Sequence, residues 1–177
     1  MLIIFSALAA IVPMSIYLVL IWKFDRYDRE PFKLVFTNYL WGALGAIVLA
    51  LLGSLFFTLI ASFFIKDSIQ LSRFGAVVVA PIVEEITKGL FLLITISNKK
   101  FDNITDGIVY GGAIELGFGM TENFLYFVTY GESVANWIML VIVRSLFSAV
   151  MHFVSTATLV AFLVLAKFKS SDKKIIY

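Results

Sequence analysis

The sequence predicts an all-α fold, a polytopic transmembrane helix bundle of about five long helices. Apolar residues make up 61% of the 177 residues and charged residues only 15%, whereas soluble domains have roughly 45–50% and 25%. Five apolar runs reach the length of about 20 residues that a hydrocarbon layer requires. No linker or internal repeat separates them, so residues 1–177 are expected to form a single domain.

The predicted helices follow these runs in order, at residues 2–22, 34–65, 74–97, 106–130 and 134–166. The first run lacks the basic start and the cleavage pattern of a signal peptide, so we expect it to remain as a helix. The second and fifth runs exceed one span, and we expect them to tilt or to project into water. In the third run, Pro81 is expected to kink the helix and free a carbonyl group.

The distribution of basic residues predicts the orientation in the membrane. Ten Lys and Arg residues lie in the tracts 23–33, 99–100 and 167–174, and only Lys66 and Arg73 lie in the opposite connections. Because basic residues collect on the cytoplasmic side, the N-terminus is predicted outside and the C-terminus in the cytoplasm of a cell-membrane protein. The expected surroundings are therefore the lipid bilayer, and no nucleic-acid partner is expected.

Two residue counts limit the chemistry. The chain has no cysteine, which excludes disulfides, thiolate ligands and a cysteine nucleophile. It has one histidine, which excludes the common three-histidine zinc site within a single chain.

Several ionisable side chains fall inside the apolar runs, where an ionised group costs about 2.5–3.5 kcal/mol and is usually functional or paired. They are Glu84, Glu85, Lys88, Glu115, Glu122, Arg144 and His152. In the third run, spacings of three and four residues place Lys88 on one helical face with both neighbouring glutamates.

The fourth and fifth runs also carry polar stripes at helical spacing. The fourth-run stripe repeats every four residues and combines small side chains that allow close helix packing with polar ones; its members are Gly107, Gly111, Glu115, Gly119 and Asn123. The fifth-run stripe consists of Ser145, Ser148, His152 and Thr156. Three helices are therefore expected to bring polar groups to one buried site.

Adjacent carboxylates in such a site suit hydrolysis. A carboxylate held ionised by Lys88 or Arg144 is a general base towards water, and its protonated form can donate to a leaving amine. His152 could orient the water, bind a metal through a neutral ring nitrogen or donate to an oxyanion, and Asn123 is a further oxyanion donor. Residue types alone leave these roles open.

Three stretches resemble the PrsW family of intramembrane proteases: "APIVEEITK" (80–88), "DGIVYGGAIELGFGMTENFLY" (106–126) and "RSLFSAVMH" (144–152). The loop "DRYDREP" (25–31) is similar to that family's polar loop, although its mixed charges also suit a solvated connection. PrsW proteins are similar to the wider CAAX prenyl endopeptidase and Abi group. The resemblance implies site-1-type endoproteolysis of a single-pass membrane protein that is anti-sigma-factor-like.

The resemblance also implies the site residues. They are the double glutamate (Glu84, Glu85), its basic partner (Lys88), the second motif (Phe118, Glu122, Asn123) and the later histidine (His152). A zinc ion held by Glu85, Glu122 and His152 and a metal-free mechanism led by glutamate both stay open. Arg144 and Glu115 are expected in supporting roles.

Two features depart from the family pattern. The later His-x-x-x-Asn-like motif of the family is missing, so an active site with one histidine and an inactive relative are both open. Glu115 stands where relatives have a small residue, and it is a candidate proton relay or metal ligand. The alternative functions are a small ion or proton transporter, since carboxylates and histidines also form relays, and a non-catalytic membrane binding protein descended from the protease group.

Overall fold

The computed structural model describes residues 2–25, 29–97, 101 and 103–169, and it confirms an all-α fold of five long helices. Helix α1 is Leu2–Phe24, α2 is Phe32–Ser62, α3 covers 68–96, α4 is Ile104–Tyr130 and α5 covers 134–169. The second helix therefore ends at Ser62 and not at 65. The third begins at 68 and not at 74, so Arg73, expected in a connection, is helical.

The helix starts have local causes in the sequence. The Asp67 carboxylate accepts a hydrogen bond from the Gln70 amide and caps α3. Asn103 and Asp106 form a reciprocal capping box at the start of α4, and the Ser133 hydroxyl accepts from the Asn136 amide at the start of α5. Each cap satisfies amide groups that have no partner within the helix.

Three of the helices contain a π-helical segment, which the apolar pattern did not predict. The segments are Trp41–Ala46 in α2, Gly75–Val79 in α3 and Arg144–Ser148 in α5. The α3 segment ends two residues before Pro81, and the Ala80 amide donates to the Gly75 carbonyl. Because proline has no N–H to donate, a wide turn at this point accommodates the disturbance expected at Pro81.

Helix α4 is the centre of the bundle and contacts α1, α2 and α5 most extensively. Every residue from 106 to 118 except Ile108 is buried. A helix that is buried on all sides must let its neighbours approach closely, which explains the many small residues of this stretch.

Two glycines allow α2 and α4 to cross at very short distance. A Cβ atom at Gly42 would overlap the Ile114 carbonyl, and one at Gly117 would overlap the Tyr39 carbonyl. The Thr121 hydroxyl donates to the Ala43 carbonyl at 2.7 Å next to this crossing. The backbones therefore meet directly, as in other membrane helix pairs with small residues at the interface.

Helix α3 packs on α2 through aromatic and polar contacts. Trp41 stacks on Phe91 with ring centroids 5.1 Å apart, and its indole nitrogen lies 3.3 Å from the Thr87 carbonyl oxygen. The buried Thr95 hydroxyl donates to the Asn38 side-chain oxygen at 2.9 Å. These contacts fix the rotation of α3, and with it the direction of its charged side chains.

Three helical stretches are long and apolar enough to cross a membrane: Leu2–Phe24, Phe32–Ser62 and Val134–Val160. Their outward surface is apolar, and Leu55, Phe56 and Val134 on it are each more than half exposed. The two remaining helices, α3 and α4, are of similar length but carry the buried charges. The protein is therefore a membrane protein with several helical spans.

A second polar cluster joins the α1–α2 connection to α4, at the opposite end of α4 from Glu122. Glu30 is 6% exposed and accepts a hydrogen bond from the Tyr110 hydroxyl. Its backbone amide donates to Asp25 at 3.1 Å, and the Trp22 indole donates to its carbonyl at 2.8 Å. Glu30 is thus not a solvated loop residue. Residues 26–28 of this loop lie outside the described residues.

Candidate active site

Charged and polar side chains from α3, α4 and α5 converge beside the middle of α4. They form two ionic groups, one around Lys88 and one around Arg144, and a single histidine lies between them. Each group joins side chains from two helices. The site therefore exists only in the assembled bundle.

The first group is built around Lys88, which is 1% exposed. Its ammonium nitrogen is 3.3 Å from Glu85 Oε1 and 3.1 Å from the Glu115 carboxylate, and it lies 4.3 Å from the centre of the Phe118 ring. A buried ammonium is stable only if its charge is compensated and its N–H groups find acceptors. Lys88 therefore ties α3 to α4 through the Glu115 carboxylate and the Phe118 ring, and it also pairs with Glu85 on its own helix.

Glu115 is the most heavily bonded carboxylate of the site and is 2% exposed. In addition to Lys88, it accepts a 2.7 Å hydrogen bond from the Thr156 hydroxyl of α5. His152 Nδ1 is 3.3 Å from its Oε1 atom. Glu115 thus connects all three helices.

The second group is built around Arg144. Its Nη2 atom is 2.7 Å from Glu122 Oε2, and its Nε–H donates to Asn123 Oδ1 at 2.8 Å. The guanidinium carbon lies 3.7 Å from the centre of the Tyr126 ring. Arg144 of α5 therefore contacts three neighbouring side chains of α4.

His152 lies between the two groups, because its Nε2 atom is 3.8 Å from Glu122 Oε2. The π-helical segment Arg144–Ser148 lies between Arg144 and His152. A wide turn changes the angular relation of the residues on its two sides, and such segments are frequent at functional sites. This segment allows both side chains to reach α4.

A small cavity opens beside these groups. Its lining includes Glu115, Glu122, Asn123, Ser148 and His152. The space in it that the centre of a water molecule can occupy is about 10 Å³, which is about what one water molecule needs. The polar lining offers that water several hydrogen-bonding partners.

The donor set of the site fits a divalent metal ion. Ligand atoms of Glu85, Glu115 and His152 lie within 4.8 Å of one another, the one such group of three among the described residues. Two carboxylates and an imidazole can form an open zinc site. Glu122, which we expected as a ligand, is not in this group, and Glu115 takes its place.

The charge balance of the site also leaves room for additional positive charge. The site contains four carboxyl groups, those of Glu84, Glu85, Glu115 and Glu122, but only the two permanent cations Lys88 and Arg144. An uncompensated charge is costly in a buried site. Protons or a divalent cation would supply the missing positive charge.

Among the residues predicted for the site, Glu84 is placed differently from the others. Its half-buried side chain interacts electrostatically with Glu122 and Lys88. Within the part of the chain that the structure describes, no side chain forms a hydrogen bond or ion pair with its carboxylate. Its adjacent residue, Glu85, is instead bound to Lys88.

The sequence did not identify two residues, Thr156 and Tyr126, as parts of the site. Thr156 belongs to the predicted polar stripe of α5, so its position gave a signal, but its bond to Glu115 spans 41 residues. Tyr126, which stacks on Arg144, gave no signal beyond its spacing of four residues from Glu122.

A family model and individual relatives agree on the family that this chain resembles. The model of the family described as "PrsW family intramembrane metalloprotease" matches residues 30–177. The chain is 30% identical to Protease PrsW of Clostridioides difficile over 94% of this chain and 68% of that protein. It is 34% identical to the Oceanobacillus iheyensis protein of that name over 70% of this chain and 54% of the relative, and 27% identical to the Bacillus subtilis one over 60% and 46%.

The chain thus spans from about two thirds to about half the length of these relatives. No solved structure matches the chain.

Proposed function

Because the chain belongs to the PrsW family of intramembrane metalloproteases, a peptidase family, we propose that it is an endopeptidase that hydrolyses a peptide bond of a single-pass membrane protein. The observation that carries this proposal is the convergence of Glu85, Glu115, Glu122 and His152 from three membrane helices. In keeping with the resemblance, we propose an anti-sigma-factor-like substrate and a site-1-type cleavage.

Glu84 is the general base in this proposal. A carboxylate is a stronger base when no cation is paired with it, and Glu85 is paired with Lys88 at 3.3 Å, whereas no described side chain pairs with Glu84. The Glu84 carboxylate takes a proton from water as the water oxygen attacks the peptide carbonyl carbon. It then returns that proton to the leaving nitrogen as the C–N bond breaks.

Asn123 is the proposed oxyanion donor. Arg144 has only N–H donors, so the atom that faces it must be the side-chain oxygen of Asn123. The Asn123 amide nitrogen makes no hydrogen bond with the residues that the structure describes. Asn123 also lines the cavity, so its N–H groups are available to an oxygen that becomes negative during the reaction.

A zinc ion fits the donor set, with His152 and carboxylates of Glu85, Glu115 and Glu122 as the residues that would hold it. When bound, such an ion polarises a carbonyl group and makes a bound water more acidic. Lys88 and Arg144 keep the carboxylates in place and partly neutralised, whether the remaining charge is balanced by protons or by the ion.

The membrane location and orientation are also part of the proposal. We place the chain in the cell membrane with its N-terminus outside and its C-terminus in the cytoplasm; some of the basic residues that support this lie outside the described residues. Because the chain has no cysteine, one cysteine added at either end can be labelled selectively. Labelling of the C-terminal cysteine by an impermeant maleimide in intact cells would refute this orientation.

The endopeptidase proposal can be tested by comparing the membrane proteomes of cells that express the wild type or Glu84→Gln. We expect new protein termini of single-pass membrane proteins with the wild type and not with the variant. Glu132→Gln is the matched control, because Glu132 is exposed and lies outside the site. The proposal fails if the same termini appear with Glu84→Gln.

One arrangement also favours a second candidate, a small proton transporter. Glu115, His152 and Glu122 follow one another at 3.3 and 3.8 Å, as in a proton relay. Proton flux into vesicles that Glu122→Gln abolishes, without cleavage of any membrane protein, would favour transport. Stable binding of an intact membrane protein by the wild type would instead favour a non-catalytic binding protein.

A further inference from the structure

The two ring nitrogens of His152 have different surroundings. Nδ1 is 3.3 Å from Glu115 Oε1, whereas the acidic atom near Nε2, Glu122 Oε2, is 3.8 Å away and already 2.7 Å from Arg144 Nη2. A neutral imidazole carries its proton on one nitrogen and a lone pair on the other. The neighbours of the ring decide which nitrogen has which role.

Glu115 acts as an acceptor towards both Lys88 and Thr156. The Thr156 hydroxyl donates to its Oε2 atom at 2.7 Å, and the Lys88 ammonium lies 3.1 Å from the carboxylate. Lys88 has only donors. The groups that contact its two oxygens are therefore donors, so Glu115 presents acceptor lone pairs, which attract an N–H group and repel another lone pair.

We propose that, in the metal-free protein, Glu115 is a positioning residue that holds the ring proton of His152 on Nδ1 and so leaves the lone pair on Nε2, facing Glu122. The inference deepens the proposed function, on which it rests for its catalytic meaning.

In the metal-free protein, this arrangement determines which atom of His152 is available to water. The lone pair on Nε2 is directed towards the group of Glu122 and Arg144, and the ring is held on the other side by a charged acceptor. Metal-binding histidines are commonly oriented by such a carboxylate. In the opposite tautomer, Nδ1 would have the lone pair, and the ring would act on the side of Glu85 and Glu115.

The single histidine makes a direct test possible. Protein labelled with ¹⁵N-histidine and purified without metal in lipid nanodiscs has one imidazole ring, and its two ¹⁵N shifts report which nitrogen carries the proton. The spectra are recorded at alkaline pH, where the shifts no longer change. We expect at least about a tenfold excess of the Nδ1–H form, because hydrogen bonds to charged groups are the strong ones.

Two variants separate positioning from a general effect on the site. In Glu115→Gln, Lys88 and Thr156 compete for the one remaining oxygen, so the amide N–H₂ faces His152. We expect the Nδ1–H excess to fall by about tenfold. Glu85→Gln removes the other carboxylate of Lys88 but no ion pair of His152, so the Nδ1–H excess should fall much less than in Glu115→Gln.

A wild-type ring that is mainly in the Nε2–H form would overturn the inference, and this result does not depend on any variant folding. Equal shifts in Glu85→Gln and Glu115→Gln would also overturn it. The proposed function is judged separately. An Nδ1–H ring in a protein that cleaves no membrane protein supports the inference and contradicts the endopeptidase.

Discussion

Lys88 compensates two carboxylates that lie on different helices, so its charge matters for stability as well as for the site. In Lys88→Met, Glu85 and Glu115 lose their common cation in a buried position. We expect the free energy of unfolding to fall by about 3–5 kcal/mol, because removal of one partner leaves buried charge unpaired.

The matched control for this prediction is Lys66→Met. Lys66 is exposed, and its ammonium group donates to the Ser62 carbonyl oxygen at 3.3 Å. Its replacement should change the free energy of unfolding by less than about 0.5 kcal/mol. Unfolding titrations in detergent measure both values, and equal losses in the two variants would exclude the compensating role of Lys88.

At the same scale, the sequence predicted which side chains are unusual but not which ones pair. Glu84, Glu85, Glu122 and His152 were identified by their cost in the membrane and by motif. Glu115 was noted on the small-residue stripe of α4, yet its central place depends on Lys88, 27 residues away, and Thr156, 41 residues away. Such pairings depend on the rotation of three helices, which one sequence does not specify.

The helices themselves were largely predictable, because long apolar runs have few alternatives in a membrane. The π-helical segments were not, since they leave the apolar pattern almost unchanged. Only Pro81 marked one of them, by its missing N–H. The start of α3 was missed because Asp67 and Ser68 read as part of a polar connection before the apolar run.

The crossing of α2 and α4 gives a prediction at the level of helix packing. Gly42→Ala and Gly117→Ala each place a methyl group against a carbonyl of the other helix. We expect each to lower the free energy of unfolding by about 1–3 kcal/mol, as other overpacked sites do.

Gly119→Ala, also on α4, is the control, because a Cβ atom there meets nothing within 4 Å. Thermal unfolding in detergent measures the effect. If Gly117→Ala is as stable as Gly119→Ala, the helices do not cross at the described distance.

The π-helical segment of α5 gives a second prediction. Deleting Phe147 would restore normal helical spacing and turn Arg144 relative to His152 by about 100°. Arg144 and His152 could then no longer reach Glu122 at the same time. We expect proteolytic activity to fall by at least about 100-fold, the scale of a misplaced catalytic group.

Phe147→Ala is the control, because this side chain is 66% exposed and its replacement keeps the chain register. It should retain activity, as measured with a tagged membrane substrate. Equal activity of the deletion variant and the wild type would mean that the segment has no role in placing His152.

For the molecule as a whole, Glu30 makes the free energy of unfolding depend on pH. Burial raises the pKa of Glu30 from 4.5 to about 7, although the hydrogen bond from Tyr110 lowers it in part and the nearby charges of Asp106 and Asp25 raise it further. The folded protein therefore binds a proton here more tightly than the unfolded chain does. Between pH 4.5 and about 7 the free energy of unfolding should fall as pH rises.

Unfolding titrations across this pH range test the prediction. Glu30→Gln keeps the shape and the acceptor for Tyr110 but does not titrate, so the variant should lose most of the slope. An identical slope in the wild type and in Glu30→Gln would show that other groups cause the pH dependence.

The central claim is that this bundle hydrolyses a peptide bond with a base on α3 and a site assembled by α4 and α5. Its most direct test is cleavage of a purified single-pass membrane protein in lipid vesicles by purified wild type, Glu84→Gln and Glu122→Gln, with products identified by mass spectrometry. We predict cleavage by the wild type and a rate at least about 100-fold lower in both variants. Intact substrate with the wild type, or equal cleavage by all three proteins, would contradict the claim.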